Sequence, residues 1–493
     1  MNKVQILGID IGTSACKIAV FDEEGNVLCQ TNKGYPVYYP EAGWAEQDAD
    51  EWWSAICEGI REVLGDGQVD ADRICGISVD GQSWSAIPVD RDGNALARTP
   101  IWMDTRSRDI CDDVRREIGE DRIFRLAGND FLPSYTTPKI LWFKEKRPEI
   151  FRQTKYFLQS NSYIVLKLTG KASQDLSQGY GIHFFDMQKL TYSEEMARAL
   201  GIDPELVPPL YQCDEIVGGV TAQAAGMTGL REGTPVVAGG LDAACGALGA
   251  GVYQPGQTQE QGGQAGGMSI CMDRALSHKK LILSPHVVPG RWLLQGGTVG
   301  GGGVLRWLRQ EFGEGRSFSE MTEEAEKIPA GSDGLIFLPF MAGERSPIWD
   351  PDAQGVLYGL SFDKTRGHVI RAMLEGVAYS LEHNLRTAKE TGAVFDTLNA
   401  MGGASNSVLW TQIKADVTGR TIRVPASDTA TTSGAAVLAG IGCGIYRDYD
   451  EAVKKTIRIR RVQEPDPGNH LVYQKRMEKY LSLVKILQPA FQE

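Results

Sequence analysis

The amino-acid sequence predicts an α/β protein of two similar domains facing each other across a central cleft. Three observations lead there. The chain has 493 residues, too many for one hydrophobic core and enough for two large ones. The stretch KVQILGIDIGTSACKIAVFDEEGNVLCQ (3–30) reads as strand, glycine turn, strand, with DEEGN as the next hairpin turn, and GQTQEQGGQAGGMSICMD (256–273) repeats that shape at the head of the second half. Each hairpin is accompanied by an apolar, strand-like run ending in small residues: ICGISVDGQSW (74–84) in the first half and TPVVAGGLDAACG (234–246) at the junction. A duplicated unit explains the pairing and divides the chain into domains 1–250 and 251–493. Clefts between such domains are where small ligands sit.

Composition narrows the class. With 42% hydrophobic and 23% charged residues the chain is an ordinary globular sequence that needs no staples. Lys plus Arg number 51 against 63 Asp plus Glu, a net charge of -12 that argues against nucleic acid or an anionic membrane as the main partner. Any anion must be held locally. Nine cysteines are scattered without a C-x-x-C pair, which disfavours disulfide frameworks and zinc ribbons and predicts reduced thiols in the cytoplasm. The start, MNKVQILGIDIG, has no long apolar core, and no later run reaches the length of a membrane span, so neither a signal peptide nor a transmembrane segment is expected.

The common catalytic signatures are missing. LTGKAS (168–173) has neither the first glycine nor the hydroxyl of a Walker loop, and GALGAG (246–251) reverses the dinucleotide fingerprint. There is no H-E-x-x-H and no G-x-S-x-G, and the six histidines are dispersed. What remains is a phosphate-handling pattern made from turns. In DIGTSACK (10–17), Gly12 allows a tight turn, the amides and hydroxyls of Thr13 and Ser14 can face phosphate oxygens, Lys17 adds positive charge, and Asp10 can hold Mg²⁺ directly or through water. The same stretch also reads as a simple hairpin turn with an Asx hydrogen bond. In VAGGLDAACGALGAG (237–251) a single carboxylate, Asp242, stands among nearly side-chain-free residues, and locally it reads as a helix N-cap.

Further stretches carry a family pattern. GWAEQDADEWW (43–53), SYTTPKILWFKEK (134–146), FMAGERSPIWDPDAQG (340–355), GVLYGLSFDKTRGHVIRAMLE (355–375) and MGGASNSVLWTQIKADVTGRTIRVP (401–425) follow GIDIGTSACKIAVFD (8–22) in order. Together they resemble the FGGY carbohydrate kinases of the actin-like ATPase superfamily, and GWAEQDADEWW resembles their xylulokinase-like branch. Lys146 departs from the usual last residue of the first signature; the second signature is met throughout.

The resemblance implies two actin-like (ribonuclease H-like) α/β domains flanking a central catalytic cleft, the first carrying the sugar site and first phosphate loop, the second the nucleotide. It implies an ATP- and Mg²⁺-dependent kinase that transfers the γ-phosphate to a terminal hydroxyl of a ketopentose such as D-xylulose, with gluconate or another polyol or ketose as the alternative. Asp242 becomes the general base, a role compatible with capping, and its small neighbours let substrate and triphosphate approach. In GGASN (402–406), Gly402, Gly403 and Ala404 leave room for a nucleotide, and the Asn406 amide can donate and accept toward base or ribose; a helix-initiating loop is the plainer reading. GGTVGGGGVLRWL (296–308), with Gly302, is a second glycine wall. The second phosphate loop, GGQAGG (262–267), has Gly263 followed by Gln264 and Ala265 where the family often has Gly-Thr or Gly-Ser, so a hydroxyl is missing.

On the sugar side DGQSWS (80–85) keeps Gln82 but puts Ser83 and Trp84 where the branch has Met-His; Trp84 is either a stacking platform or core. In PIWMDTRS (100–107), Asp104 is expected to partner sugar hydroxyls. The implied partners are sugar and ATP, with neither nucleic acid nor membrane, and a homodimer is left open. Two other readings stand: an actin-like chaperone or filament ATPase, against which the absence of an appended peptide-binding domain counts, and a degenerate sugar-binding regulator.

Overall fold

In the computed structural model, which describes residues 4–427 and 429–491, two seven-stranded mixed sheets form the frame. Residues 1–3, with which the predicted first strand begins, lie outside the described residues. The first sheet contains β1 (Gln5–Ile11), β2 (Ala15–Asp22), β3 (Val27–Gly34), β4 (Ile74–Gly81), β5 (Ile216–Gly219), β6 (Pro235–Val237) and β7 (Gly240–Leu241). Its order is β5-β6-β4-β1-β2-β3, with β7 also pairing with β4. The second contains β8 (Gln257–Gly262), β9 (Gly266–Met272), β10 (Ile282–Pro285), β11 (Trp292–Thr298), β12 (Thr397–Met401), β13 (Thr421–Pro425) and β14 (Ile459–Gln463), in the order β10-β11-β9-β8-β12-β13-β14.

The two sheets repeat one scheme. In each, an antiparallel hairpin, β1/β2 or β8/β9, sits inside the sheet, and its first strand pairs in parallel with the next strand inward, β4 or β12. The predicted hairpins are therefore present, but the pairing of the accompanying runs differs from expectation. Residues 234–246 belong to the first sheet, beside 74–81; the counterpart of β4 in the second sheet is β12. Both runs are buried parallel strands of one sheet, and burial alone cannot say which sheet a strand joins.

Because β1 is buried on both faces, its sequence is almost continuously apolar. Leu7, Ile9 and Ile11 pack toward Trp52, Ile56 and Ile60 of helix α1 (Ala49–Leu64), which Asp48 caps through the Asp50 amide. The other face, with Ile6, meets two helices of small residues, α4 (Asp242–Gly249) and α8 (Ala430–Gly442), which share one core through Cys245, Leu248, Ala435 and Leu438. Other helices of the chain include α2 (Thr136–Lys146) and α3 (Ser160–Thr169) before α4, and α5 (Gly302–Phe312), α6 (Arg366–Lys389) and α7 (Val408–Thr418) between α4 and α8. All nine cysteines are free thiols, and among the described residues no helix is long and apolar enough to cross a membrane.

Candidate active site

Strand register brings three carboxylates together. Asp10 of β1 stands opposite Asp80 of β4, Asp80 stands opposite Gly240 of β7, and Asp242 follows two residues later. Gly239 makes this passage possible: its φ is +73°, and a Cβ there would lie 1.9 Å from the Val79 carbonyl oxygen. Asp242 is the first residue of α4, and the cap position is Leu241's, so the N-cap reading is corrected. Its Oδ1 accepts from the Ala243 amide at 2.6 Å. Burial, and then the charge of Asp10, push its carboxyl up to about 7. Asp10 Oδ2 accepts from Thr431 Oγ1 at 2.6 Å, near the start of α8.

Asp80 was not singled out by sequence reasoning. It is fully buried, and neither carboxylate oxygen has a hydrogen-bond partner. Burial first, then Asp10 and Asp242, hold its carboxyl well above the usual range. A signal existed: SVDG ends β4 as GIDIG ends β1, a lone acid closing an apolar strand.

Beside the carboxylates, a ring of side-chain hydrogen bonds fastens the first turn to the neighbouring wall. Trp102 Nε1 donates to Thr13 Oγ1 at 3.0 Å, Thr13 Oγ1 to Gln82 Oε1 at 3.4 Å, Gln82 Nε2 to Gln47 Oε1 at 2.7 Å, and Gln47 Nε2 to the Thr13 carbonyl at 2.8 Å. The Thr13 hydroxyl is thus engaged with this wall, which leaves Ser14 as the polar side chain of the turn and Lys17 on β2, opposite Asp10. Gln47 and Trp102 complete the ring although neither was anticipated; both lie in stretches with family character, whose sequence shows no reason for the pairing.

Packing bears on two expectations on this side. Asp104 is fully buried and saturated: it accepts from the Ala45 amide and clasps the Arg106 guanidinium, which lies over Trp44 and also meets Glu46. Its oxygens hold residues 43–47 to residues 100–107, so the expected role as a partner of sugar hydroxyls is corrected. Trp84 is 7% exposed and stacks on Tyr135 with centroids 4.2 Å apart, so its ring belongs to the core. Its φ of +62° is unusual for a bulky residue, and Nε1 is buried without a partner. Ser83 accepts from the Tyr180 hydroxyl at 2.7 Å.

On the second sheet, Gly263, Gln264, Gly302, Gly403, Ala404 and Asn406 line one cavity of about 720 Å³. Backbone builds most of it. The Gly302 amide donates to the Gly263 carbonyl at 2.7 Å and the Gly303 amide to the Gln264 carbonyl at 3.0 Å, so the turn itself caps α5. Gly402 has φ +83°, and a Cβ there would come within 2.8 Å of the Gly262 backbone. Ala265 is exposed and outside the lining residues. Asn406 Oδ1 accepts from Arg460 Nη2 at 2.5 Å, which leaves the amide nitrogen as its free, donating end. A larger groove of about 930 Å³, lined by Trp307, Phe312 and Phe340 among others, contains none of the predicted site residues.

A duplicated α/β frame, a row of carboxylates on one side and a glycine-walled cavity on the other define a phosphotransferase of the actin-like ATPase fold. Residues 5–249 match the N-terminal domain of the FGGY family of carbohydrate kinases and residues 273–443 its C-terminal domain, and the chain belongs to that family. It is 31% identical to a xylulose kinase of Bacillus subtilis over 97% of this chain and 96% of that one. It is 29% identical to a gluconokinase of the same organism over 98% and 96%. The crystal structure of xylulose kinase from Rhodospirillum rubrum superposes with a TM-score of 0.91 at 29% identity, covering 99% of this chain and 100% of that one. Family membership makes the protein a carbohydrate kinase and implies ATP as phosphoryl donor.

Proposed function

We propose that this kinase phosphorylates a ketopentose, D-xylulose in the first place, at a terminal hydroxyl, with Asp242 as general base. The observation that carries the reading is the place of Asp242: it opens α4 two residues after Gly240, which stands opposite Asp80, and its Oδ1 takes the Ala243 amide, so a carboxylate that burial pushes up stands where a hydroxyl proton must go. Phosphoryl transfer needs little more of the protein than an in-line hydroxyl, a proton acceptor and neutralised phosphate charge. Gln82 and Ser83 form the acceptor wall, and the uncharged ring of Thr13, Gln47, Gln82 and Trp102 suits a neutral sugar. The nucleotide lies in the cavity walled by Gly263, Gln264, Gly302, Gly403 and Ala404, with the Asn406 amide nitrogen donating toward base or ribose.

Mg²⁺ fits the donor set at the ends of β1 and β4. Hard oxygen ligands, Asp10 with the unpartnered Asp80 next to it, match a cation that takes one or two carboxylates and the substrate phosphates. Bound there, the metal supplies charge neutralisation on the phosphates. Residues 1–250 and 251–493 act in this reading as the two bodies that close on sugar and ATP, in the cytoplasm.

Gluconate is the second reading, and one observation favours it. The chain's similarity to a gluconokinase, 29% identical over 98% of its length, supports that reading. Coupled ATP turnover across D-xylulose, gluconate and a panel of ketoses and polyols decides. D-Xylulose is expected to give the highest kcat/KM. A gluconate preference overturns the ketopentose assignment, and no sugar-dependent turnover with any acceptor overturns the catalytic reading.

A further inference from the structure

Lys139, in the first family signature, is fully buried in α2, and among the described residues no carboxylate forms an ion pair with it. Its Nζ donates to three backbone carbonyls, those of Trp84 at 2.8 Å, Ile101 at 2.8 Å and Ser134 at 2.6 Å. These come from three separate segments, and each adjoins the acceptor wall. Trp84 follows Ser83 and holds its left-handed backbone. Ile101 precedes Trp102, which donates to Thr13. Ser134 precedes Tyr135, on which Trp84 stacks.

We propose that Lys139 is a positioning residue of the acceptor pocket, its ammonium group pinning the segments of Trp84, Ile101 and Ser134 into one wall. The inference rests on the reading of Gln82 and Ser83 as the sugar side. Chemistry singles out the residue type: three carbonyls converging on one point need three N–H donors from one small group, which an ammonium has and a neutral amine, with two N–H and a lone pair, has not. Burial works against that charge, pushing the amine down to about 7, while Asp104 works for it. A buried ammonium costs solvation, and an apolar side chain of the same length would avoid that cost only by leaving three carbonyls without a donor. What the ammonium adds is a common anchor, and with it a fixed carbonyl for a tryptophan whose φ is otherwise disfavoured.

The test compares Lys139→Met and Lys139→Gln with wild type, using Gln82→Ala as a control on the pocket. Folding is followed by far-UV circular dichroism, the Trp84–Tyr135 stack by near-UV circular dichroism, and KM for D-xylulose and ATP separately, or for whichever acceptor the panel prefers. Lys139→Met is expected to fold, to change the near-UV signal, and to raise sugar KM at least about tenfold while ATP KM stays within about twofold. Lys139→Gln, whose amide can tie two of the three carbonyls, is expected to recover part of that loss. Equal rises in both KM values, a sugar KM within about twofold of wild type, or failure of both variants to fold overturns the proposal. If Gln82→Ala raises sugar KM and Lys139→Met does not, only the role of Lys139 falls; if neither does, the pocket reading falls with it.

Discussion

The hairpins β1/β2 and β8/β9 occupy the same place in two similar sheets, yet their turns are held by different means. The first turn is fixed by side chains: Thr13, Gln47, Gln82 and Trp102 bond in a ring, and Asp10 and the buried Asp80 stand opposite each other on the strands beside it. The second is fixed by backbone: the carbonyls of Gly263 and Gln264 take the first amides of α5, while the Gln264 side chain lines the cavity and Ala265 is exposed outside it. Side-chain bonds are specific to atom and length, so the first turn can distinguish acceptors. Backbone bonds are indifferent to sequence, so the second keeps its shape without demanding particular side chains but cannot tolerate added bulk at its glycines, which suits the triphosphate proposed for it.

The largest expected effect lies on the side-chain half. Asp242→Asn keeps the shape and removes the proton acceptor, so kcat should fall by about 10²–10⁴ with sugar and ATP still bound, as steady-state kinetics and calorimetry would show. Wild-type kcat/KM should rise with pH through about 7 and then level, whereas the variant's profile should be flat. Stability carries the opposite sign. A carboxyl raised in the folded state binds its proton more tightly than the unfolded chain does, so wild type loses stability as pH climbs from about 4, the unfolded value, to about 7. The variant escapes that loss, and its melting temperature at pH 8 should equal or exceed wild type's. A variant both less stable and fully active would return Asp242 to a structural role.

Next comes the backbone half. Gly402→Ala adds a Cβ where φ is +83° and the Gly262 backbone is 2.8 Å away. Strain of about 1–3 kcal/mol at such a position should raise ATP KM about tenfold or more and leave sugar KM within about threefold. Gln82→Ala should do the reverse, raising sugar KM about tenfold, the worth of one lost pocket contact, with ATP KM unchanged. If the two variants failed to separate, each raising both constants, the division of labour between the hairpins would be gone.

The same contrast explains what could be read from the sequence. Glycine-rich turns and apolar runs are local signals, so the α/β class, both hairpins and the glycine-rich part of the cavity's lining were legible, while the α5, 318–326 and α7 residues that complete it were not; Asp242 stood out because a charge among glycines is conspicuous. Asp104 was misread because its partners lie elsewhere: Ala45 is 59 residues away, and the adjacent Arg106 gave no hint that it would fold back. Asp80 and Lys139 were passed over for a related reason. Each is chemically informative only once burial is known, and burial depends on sheet register and on segments distant in the chain. The left-handed Trp84 is likewise invisible in sequence, since nothing local asks a tryptophan to adopt it.

The smallest expected effect is the most direct trial of the backbone-built turn. Gln264 and Ala265 stand where the family often has a hydroxyl, and Ala265→Ser restores one at an exposed position outside the lining of the cavity. If the Gly263 and Gln264 carbonyls and the amides around them shape the phosphate side, the added hydroxyl should meet water as readily as phosphate and shift kcat and ATP KM by no more than about twofold, because an exposed hydrogen bond that merely replaces one to water is worth little. A gain of tenfold or more, about 1.4 kcal/mol in barrier height, would mean that a side-chain donor belongs there after all. The second hairpin would then be a side-chain site like the first, weakened in this chain.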